Sequence, residues 1–305
     1  MYEFQTVATG LRFPEGPVVL PDGSVVLVEI AAGRVTRVSP DGSSHVVAEP
    51  GGGPNGLALS PDGKLYCCNN GGFEYREQAG LLIPHGQPRD YSGGRIERID
   101  LATGAVETLY RDGDFGCVLR GPNDLVFDAH GGFWFTDHGK TRDRERDRTG
   151  VFYARADGSS LREVIFPSEN PNGVGLSPDG RRLYVAETWT CRLYAYDVVA
   201  PGEVDLTAGL GGPGVPLQRP GGYKFFDSLA VEDGGNVCVA TIGEAGISVV
   251  SPEGELVEFV PTDDPFTTNI AFGGPDMRDA YMTLSGTGRL VRTRWPRPGL
   301  RLAHQ

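Results

Sequence analysis

Short runs of hydrophobic residues alternate with polar turn residues along the whole chain. Eleven runs have the length of a β-strand, are rich in Val, Leu, Tyr and Phe, and often alternate apolar and polar positions. They span 24–29, 34–39, 64–69, 94–99, 132–136, 150–154, 182–186, 192–197, 236–241, 246–250 and 280–283. No segment keeps a 3.6-residue period over the eleven or more residues that a helix needs. The pattern therefore predicts an all-β chain.

A short motif recurs six times, each time as a polar residue beside Pro, Gly or an aromatic residue just ahead of an apolar run. The copies are Phe13-Pro14-Glu15-Gly16, Gly53-Pro54-Asn55-Gly56, Gly121-Pro122-Asn123-Asp124, Asn170-Pro171-Asn172-Gly173, Phe226-Asp227-Ser228 and Thr267-Thr268-Asn269. Their polar residues are 40, 68, 49, 55 and 42 positions apart. Pro, Asn and Gly favour turns, so we interpret each copy as a turn that precedes a strand.

Six similar units predict a closed radial repeat, a six-bladed β-propeller with a central metal site formed by one domain over residues 1–305. The same polar position in every unit would face one shared centre, and oxygens gathered there suit a hard cation. The longest interval contains the segment from Gly71 to Ser92, which we interpret as an insertion over one face.

Charge and cysteine content narrow the possible partners and compartment. The net charge is −12, which argues against nucleic acid or an anionic membrane as a partner. No apolar run reaches the roughly 18 residues of a membrane span, and the first residues do not resemble a secretion signal. Five cysteines form an odd set without metal spacing, so we expect buried thiols in a cytoplasmic protein.

The order and spacing of these motifs resemble the family of senescence marker protein 30, gluconolactonases and related lactonases. Further matching stretches are Phe135-Thr136-Asp137, Asp227-Ser228-Leu229-Ala230-Val231 and Thr268-Asn269-Ile270-Ala271-Phe272. The resemblance covers nearly the whole chain and implies a six-bladed propeller with one divalent metal ion at the mouth of the central tunnel.

The resemblance implies that Glu15, Asn172 and Asp227 bind the metal ion. Two carboxylates and an amide carbonyl form an oxygen-only set that suits Ca²⁺ first, with Zn²⁺, Mg²⁺ or Mn²⁺ as alternatives. Asn123 matches a position that binds the metal or the substrate in the family. Asn55 and Asn269 complete the ring and could orient the metal ligands.

The resemblance also implies hydrolysis of a small lactone, for which we expect a sugar aldonolactone. Asp227 and Asp137 are the two candidates for the catalytic base that takes a proton from water. Arg120 and Tyr223 are candidates for substrate binding beside Asn123, although Arg120 lies three residues before Asn123 rather than the two common in sugar lactonases. A homo-oligomer is possible.

Three other functions remain open at this point. A phosphotriesterase of the diisopropyl-fluorophosphatase type uses a similar propeller and a similar oxygen set. A non-catalytic propeller could bind a ligand or partner and keep calcium as a structural plug. The strictosidine-synthase branch shares the fold without the metal, and the trio of Glu15, Asn172 and Asp227 counts against it. No Gly-x-Ser-x-Gly sequence supports a serine hydrolase.

Overall fold

Six antiparallel sheets of four or five strands, together with a separate two-stranded hairpin, make up the described part of the protein. The computed structural model describes residues 2–207, 215–218 and 224–304. Each sheet is built on four strands, and the fourth sheet has a fifth strand that also pairs with its third. No α-helix occurs in these ranges, where the helical residues form two 3-10 turns, Ile30–Ala32 and Asp114–Gly116.

The strands follow one another sheet by sheet along the chain. The first strand, β1 (Gln5–Ala8), is followed by β2 (Pro14–Val19), β3 (Val25–Glu29), β4 (Arg34–Val38) and β5 (Ser44–Ala48). Next come β6 (Pro54–Leu59), β7 (Leu65–Asn69), β8 (Tyr75–Gln78), β9 (Leu81–Pro84), β10 (Arg95–Ile99) and β11 (Val106–Arg111). The third sheet contains β12 (Pro122–Phe127), β13 (Gly132–Asp137), β14 (Thr149–Arg155) and β15 (Leu161–Ser168).

The second half of the chain repeats this arrangement. The fourth sheet contains β16 (Pro171–Leu176), β17 (Arg182–Glu187), β18 (Arg192–Ala200), β19 (Glu203–Val204) and β20 (Val215–Gln218). The fifth contains β21 (Phe225–Val231), β22 (Val237–Ile242), β23 (Gly246–Val250) and β24 (Leu256–Pro261). The last strands are β25 (Thr267–Gly273), β26 (Asp279–Leu284) and β27 (Arg289–Arg294).

The sheets close into a ring of six blades. The first strands of the blades, β2, β6, β12, β16, β21 and β25, contact one another in that circular order, with β25 returning to β2. The first strand of the chain, β1, pairs with β27 and so supplies the outer strand of the last blade. The predicted all-β, six-bladed propeller is confirmed.

The repeated motif lies inside the innermost strand of each blade, not in a turn ahead of it. Every innermost strand contains a register shift at the motif, for example between Glu15 and Val18 and between Pro171 and Val174. Such a bulge adds unpaired backbone and re-aims side chains. The interpretation as a turn was therefore wrong, because Pro, Asn and Gly serve a bulge as readily as a turn.

The glycine after the motif's polar residue allows neighbouring innermost strands to meet near the axis. A Cβ on Gly56 would lie 2.5 Å from the carbonyl oxygen of Asn123 in the next blade. A Cβ on Gly173 would lie 2.7 Å from the carbonyl oxygen of Asp227. Both distances are too short for real atoms, so only glycine permits this close approach of backbones.

The segment from Gly71 to Ser92 leaves the second blade between β7 and β10. It contains the hairpin of β8 and β9, which pair only with each other. The five cysteines are free thiols, three of them buried. In the described ranges, no helix has the length and apolar character needed to cross a membrane.

Candidate functional site

A cavity of about 360 Å³ opens at the end of the propeller where the innermost strands begin. Five of the six motif polar residues line it, namely Glu15, Asn55, Asn123, Asn172 and Asp227. Residues further along the same strands, such as Leu57, Val174 and Leu229, line a separate apolar channel. The ring of blades thus brings oxygen-bearing side chains from distant parts of the chain to one end of the axis.

Glu15 is held by one of its two carboxylate oxygens. Its Oε2 accepts hydrogen bonds from the side-chain amide of Asn269, at 2.7 Å, and from the backbone N–H of Gly16, at 2.5 Å. Its Oε1 is buried and has no hydrogen-bond partner. Asn269 lies outside the cavity lining, so it positions Glu15 while the second oxygen stays available for a ligand.

Asn172 and Asp227 lie beside each other in neighbouring blades. The Asn172 amide nitrogen donates to Thr188 Oγ1 at 3.1 Å, which fixes the orientation of the amide. Its oxygen accepts only a long hydrogen bond of 3.5 Å from Ser228. The pKa of Asp227 is raised well above its usual range, first by burial and then by the negative charge of Glu15.

Asn123 and Asp124 belong to the third copy of the motif. The side-chain oxygen of Asn123 is buried and has no hydrogen-bond partner, and Asn123 lines the same cavity as Glu15 and Asp227. Asp124 lines the apolar channel, and burial followed by the charge of Glu15 raises its pKa to about 8. Glu15, Asp124 and Asp227 therefore disfavour one another's ionisation, as expected of carboxylates gathered where a cation would bind.

Asp137 is not among the residues that line the cavity. Its Oδ1 accepts backbone hydrogen bonds from Gly121 and Gly139 at 2.7 and 2.8 Å, and its Oδ2 accepts one from Arg120 at 2.7 Å. Burial raises its pKa to about 6, and these three hydrogen bonds oppose that effect. Its oxygens are thus engaged in holding the backbone that leads into β12.

In three other blades, a side-chain oxygen at the same register position also accepts a backbone hydrogen bond. The residues are Glu29 opposite Pro14, Asn69 opposite Pro54, Asp137 opposite Pro122 and Glu187 opposite Pro171. Each accepts a backbone N–H just ahead of its innermost strand, from Arg12, Gly53, Gly121 and Glu169 respectively. This recurrence favours an architectural role for Asp137 over the role of catalytic base.

Arg120, a substrate-binding candidate, is not among the residues that line the cavity. Arg120 is half-buried, and its guanidinium pairs with Asp112 at 2.5 Å outside the cavity lining. An ion pair that leads away from the cavity leaves this guanidinium poorly placed for a bound ring. Tyr223 lies outside the residues that the structure describes.

The cavity wall also contains residues outside the repeated motif. Trp189, which is 51% exposed, packs its ring against Phe225 with centroids 5.3 Å apart. Phe73 comes from the insertion. His138 exposes a cavity-lining ring whose Nδ1 has no partner, and burial together with the charges of Lys140 and Arg146 lowers its pKa to about 3. It is therefore a neutral imidazole at pH 7.

The donor chemistry fits a hard divalent cation. In the described part of the chain no group of three or more His, Cys, Asp or Glu is arranged to hold a metal, so a soft zinc-type cluster has no support there. A set of carboxylate and amide oxygens is a different kind of metal site, one that suits a hard cation. Glu15 Oε1 and Asn123 Oδ1 are buried acceptors without donors, and a cation would satisfy both.

Residues 13–286 match the family described as "SMP-30/Gluconolactonase/LRE-like region". The chain belongs to this family. The resemblance inferred from the sequence motifs is thus confirmed.

Curated relatives include "Lactonase drp35" of Staphylococcus haemolyticus, 28% identical over 79% of this chain and 66% of that protein. The chain therefore spans slightly less than two thirds of the length of this relative. "Gluconolactonase" of Zymomonas mobilis is 24% identical over 95% of this chain and 80% of that protein.

Among solved structures, a protein described as a putative gluconolactonase superposes with a TM-score of 0.75 at 26% identity. It covers 98% of this chain and 94% of its own. A gluconolactonase of Xanthomonas campestris superposes with a TM-score of 0.76 at 23% identity, over 97% of this chain and 90% of its own, which is evidence of the fold.

Proposed function

We propose that this protein is a metal-dependent hydrolase that opens a small lactone ring in the cavity formed by the motif residues. The observation that carries the proposal is the pair of buried acceptors without donors, Glu15 Oε1 and Asn123 Oδ1, in one cavity with Asn172 and Asp227. The names of the relatives, lactonase and gluconolactonase, support the reaction class.

Glu15, Asn172 and Asp227 would hold the ion, with Asn123 beside them. A divalent ion supplies Lewis-acid polarisation of the ester carbonyl when it is bound. Asp227 would take the proton from the attacking water, since it lines the cavity whereas Asp137 does not, and would return it to the ring oxygen as the ring C–O bond breaks.

The class of lactone that serves as substrate is also part of this proposal. A sugar aldonolactone is the first substrate to test, given that a curated relative and a structural relative are both named gluconolactonase. The wall, however, includes Phe73, Pro84, Trp189, Ile242 and Phe266, and neither Arg nor Lys is among the described lining residues. Lactones with an apolar substituent therefore belong in the same panel.

The test is a pH-indicator assay of five- and six-membered lactones, with aldonolactones and alkyl lactones, after chelation and after addition of Ca²⁺, Mg²⁺, Mn²⁺ or Zn²⁺. We expect turnover that chelation abolishes and one of these ions restores. Asp227→Asn should lose at least 100-fold in kcat/KM, about 2.7 kcal/mol, whereas the exposed control Asp233→Asn should match the wild type.

The alternatives give different outcomes in the same assay. Hydrolysis of the P–F or P–O bond of an organophosphate added to the same assay, without lactone turnover, would replace the proposal with a phosphotriesterase. Metal binding without turnover of either class would indicate a structural ion in a binding propeller. Lactone turnover that survives exhaustive chelation would contradict metal dependence.

A further inference from the structure

Lys140 is a buried lysine on the loop that joins β13 to β14. Only 1% of its surface is exposed. Burial lowers the pKa of its ammonium to about 7, and the nearby carboxylates of Asp137 and Asp147 oppose this effect. Burying an ammonium group is costly unless specific partners compensate. Its partners therefore indicate what the residue does.

In the described part of the chain, the Lys140 ammonium contacts residues at the beginning and the end of the inserted segment. Nζ donates to the carbonyl oxygen of Gly72 at 2.6 Å and to Asn70 Oδ1 at 3.1 Å. It lies 4.1 Å from the centre of the Phe73 ring and 5.5 Å from that of Tyr91. Two hydrogen bonds and a cation–π contact thus join two loops that are distant in sequence.

The same β13–β14 loop holds the insertion at a second place. The backbone N–H of Gln87 donates to the carbonyl oxygen of Thr141 at 3.0 Å. Arg142 Nη1 donates to Gln87 Oε1 at 3.1 Å. The insertion is therefore attached near both of its ends to a loop that follows the strand carrying Asp137.

Both attached segments line the candidate site. Phe73, Pro84 and His85 come from the insertion, and His138 and Thr141 flank Lys140 on the other loop. Lys140 itself does not line the cavity. Its ammonium instead contacts the ring of Phe73, which does.

We propose that Lys140 is a positioning residue for substrate, which fixes Phe73 and the inserted hairpin as the wall against which the apolar face or substituent of the lactone packs. The proposal rests on the proposed function, because it assumes that the substrate binds in this cavity. Lys140 touches no reacting atom, so its loss affects substrate affinity and discrimination more than the chemical step.

The first test is a double-mutant cycle on KM with an alkyl-substituted δ-lactone. Lys140→Met keeps the side-chain length but removes the charge and the donors. We expect it to raise KM about tenfold, equivalent to about 1.4 kcal/mol, with kcat within about threefold of the wild type. Phe73→Leu should raise KM similarly, and the double variant should add little to it, because contacting residues couple.

The matched control is Lys64→Met, since Lys64 is a partly exposed lysine in the turn before β7. It should leave KM and kcat unchanged. Additive effects of Lys140→Met and Phe73→Leu, or a fall in kcat with constant KM, would overturn the positioning role. If Lys140→Met does not fold, Asn70→Ala removes one acceptor of the ammonium and should raise KM in the same direction.

A second test does not depend on activity. Arg76 and Arg89 are exposed within the insertion and are sites for trypsin. Lys140→Met should accelerate cleavage at these two arginines about tenfold, because the loop loses its attachment, while Lys64→Met should not. Equal cleavage rates in the wild type and Lys140→Met would overturn the proposal. A wild type without lactonase activity but with this cleavage difference would refute the proposed function and leave the attachment established.

Discussion

The Asn269 side-chain amide donates a hydrogen bond of 2.7 Å to Glu15 Oε2, across 254 residues of chain. This bond joins the last blade to the first beside the cavity that Glu15 lines. It occupies one oxygen of Glu15 and leaves Oε1 without a partner. A carboxylate that one oxygen orients, while the other is buried without a hydrogen-bond partner, supports the proposed role of Glu15 as a metal ligand.

The first prediction concerns the metal-free protein. Burial and the negative charge of Glu15 raise the pKa of Asp227, so an ionised Asp227 destabilises the metal-free protein. Asp227→Asn should therefore raise the Tm of the chelated protein or leave it unchanged. The same variant should lose most of the increase in Tm that added Ca²⁺ produces in the wild type. Differential scanning calorimetry with and without Ca²⁺ measures both effects.

The exposed Asp233→Asn serves as the control for this experiment, and it should show the wild-type response to Ca²⁺. A variant Asp227→Asn that is strongly destabilised without metal, yet keeps the full response to Ca²⁺, would remove Asp227 from the ligand set.

The second prediction separates Asp137 from Asp227. Replacing Asp137 by Asn places an amide N–H₂ group against one of three buried backbone donors, those of Arg120, Gly121 and Gly139. One unsatisfied buried donor costs about 1–3 kcal/mol. Asp137→Asn should therefore lower the free energy of urea unfolding by about 2 kcal/mol, while kcat of the folded enzyme stays within about threefold.

Glu187 provides a matched comparison, because it lies at the same register position in the next blade and accepts the backbone N–H of Glu169 at 2.9 Å. Glu187→Gln should likewise affect stability and spare kcat. A loss of 100-fold or more in kcat for Asp137→Asn at unchanged stability would restore Asp137 as the candidate base.

Some parts of the fold and of the site could be predicted from the sequence, and others could not. The second and third strands of the first five blades and the second strand of the last blade were predicted, as with Gly246–Val250, because each is a short apolar run between turn residues. The third strand of the last blade, Arg289–Arg294, was not predicted. The innermost strands were not, because a bulge at Pro-Asn-Gly carries the residues of a turn. The repeat brought Glu15, Asn172 and Asp227 to one cavity as expected.

Residues that adjoin the motifs in sequence line the cavity less regularly than the motif residues themselves. Arg120 adjoins the third motif, but its side chain turns to Asp112 instead of the cavity. Asp137 ends a strand beside the site, yet backbone donors occupy it. Conversely, Phe73 and Trp189 reach the cavity from loops whose course depends on tertiary contacts, for which a single sequence carries no periodic signal.

The third prediction tests the close packing of innermost strands. A Cβ on Gly173 would lie 2.7 Å from both the carbonyl oxygen of Asp227 and the nitrogen of Leu229. Neither backbone atom can move without shifting the next blade, so Gly173→Ala should cost about 3 kcal/mol of unfolding free energy. Gly234→Ala is the control, since nothing lies within 4 Å of its Cβ position, and it should stay within about 0.5 kcal/mol. Equal urea midpoints for the two variants would contradict the packing argument.

The fourth prediction concerns Trp189 at the cavity rim. Trp134 and Trp295 are fully buried, whereas Trp189 is half-exposed and lines the cavity. A bound lactone or its hydroxy-acid product should therefore change the intrinsic fluorescence of the wild type, and Trp189→Phe should abolish most of that change. Trp189→Ala should also raise KM about tenfold, because aromatic contact contributes about 1 kcal/mol beyond its buried area. A full fluorescence response in Trp189→Phe would exclude ligand binding against this ring.

The last prediction concerns the pH dependence of stability at Lys140. Burial lowers its pKa to about 7 in the folded protein, whereas an unfolded lysine titrates near 10.4. Between these values the unfolded chain binds more protons, so the contribution of Lys140 to stability increases as pH rises above 7. The unfolding free energy of the wild type relative to Lys140→Met should therefore increase from pH 7 to pH 9, on the order of 1 kcal/mol per pH unit. Urea denaturation at the two pH values measures this difference, and Lys64→Met should show none. A difference that stays constant or decreases with pH would mean that Asp137 and Asp147 keep the ammonium charged in the folded protein.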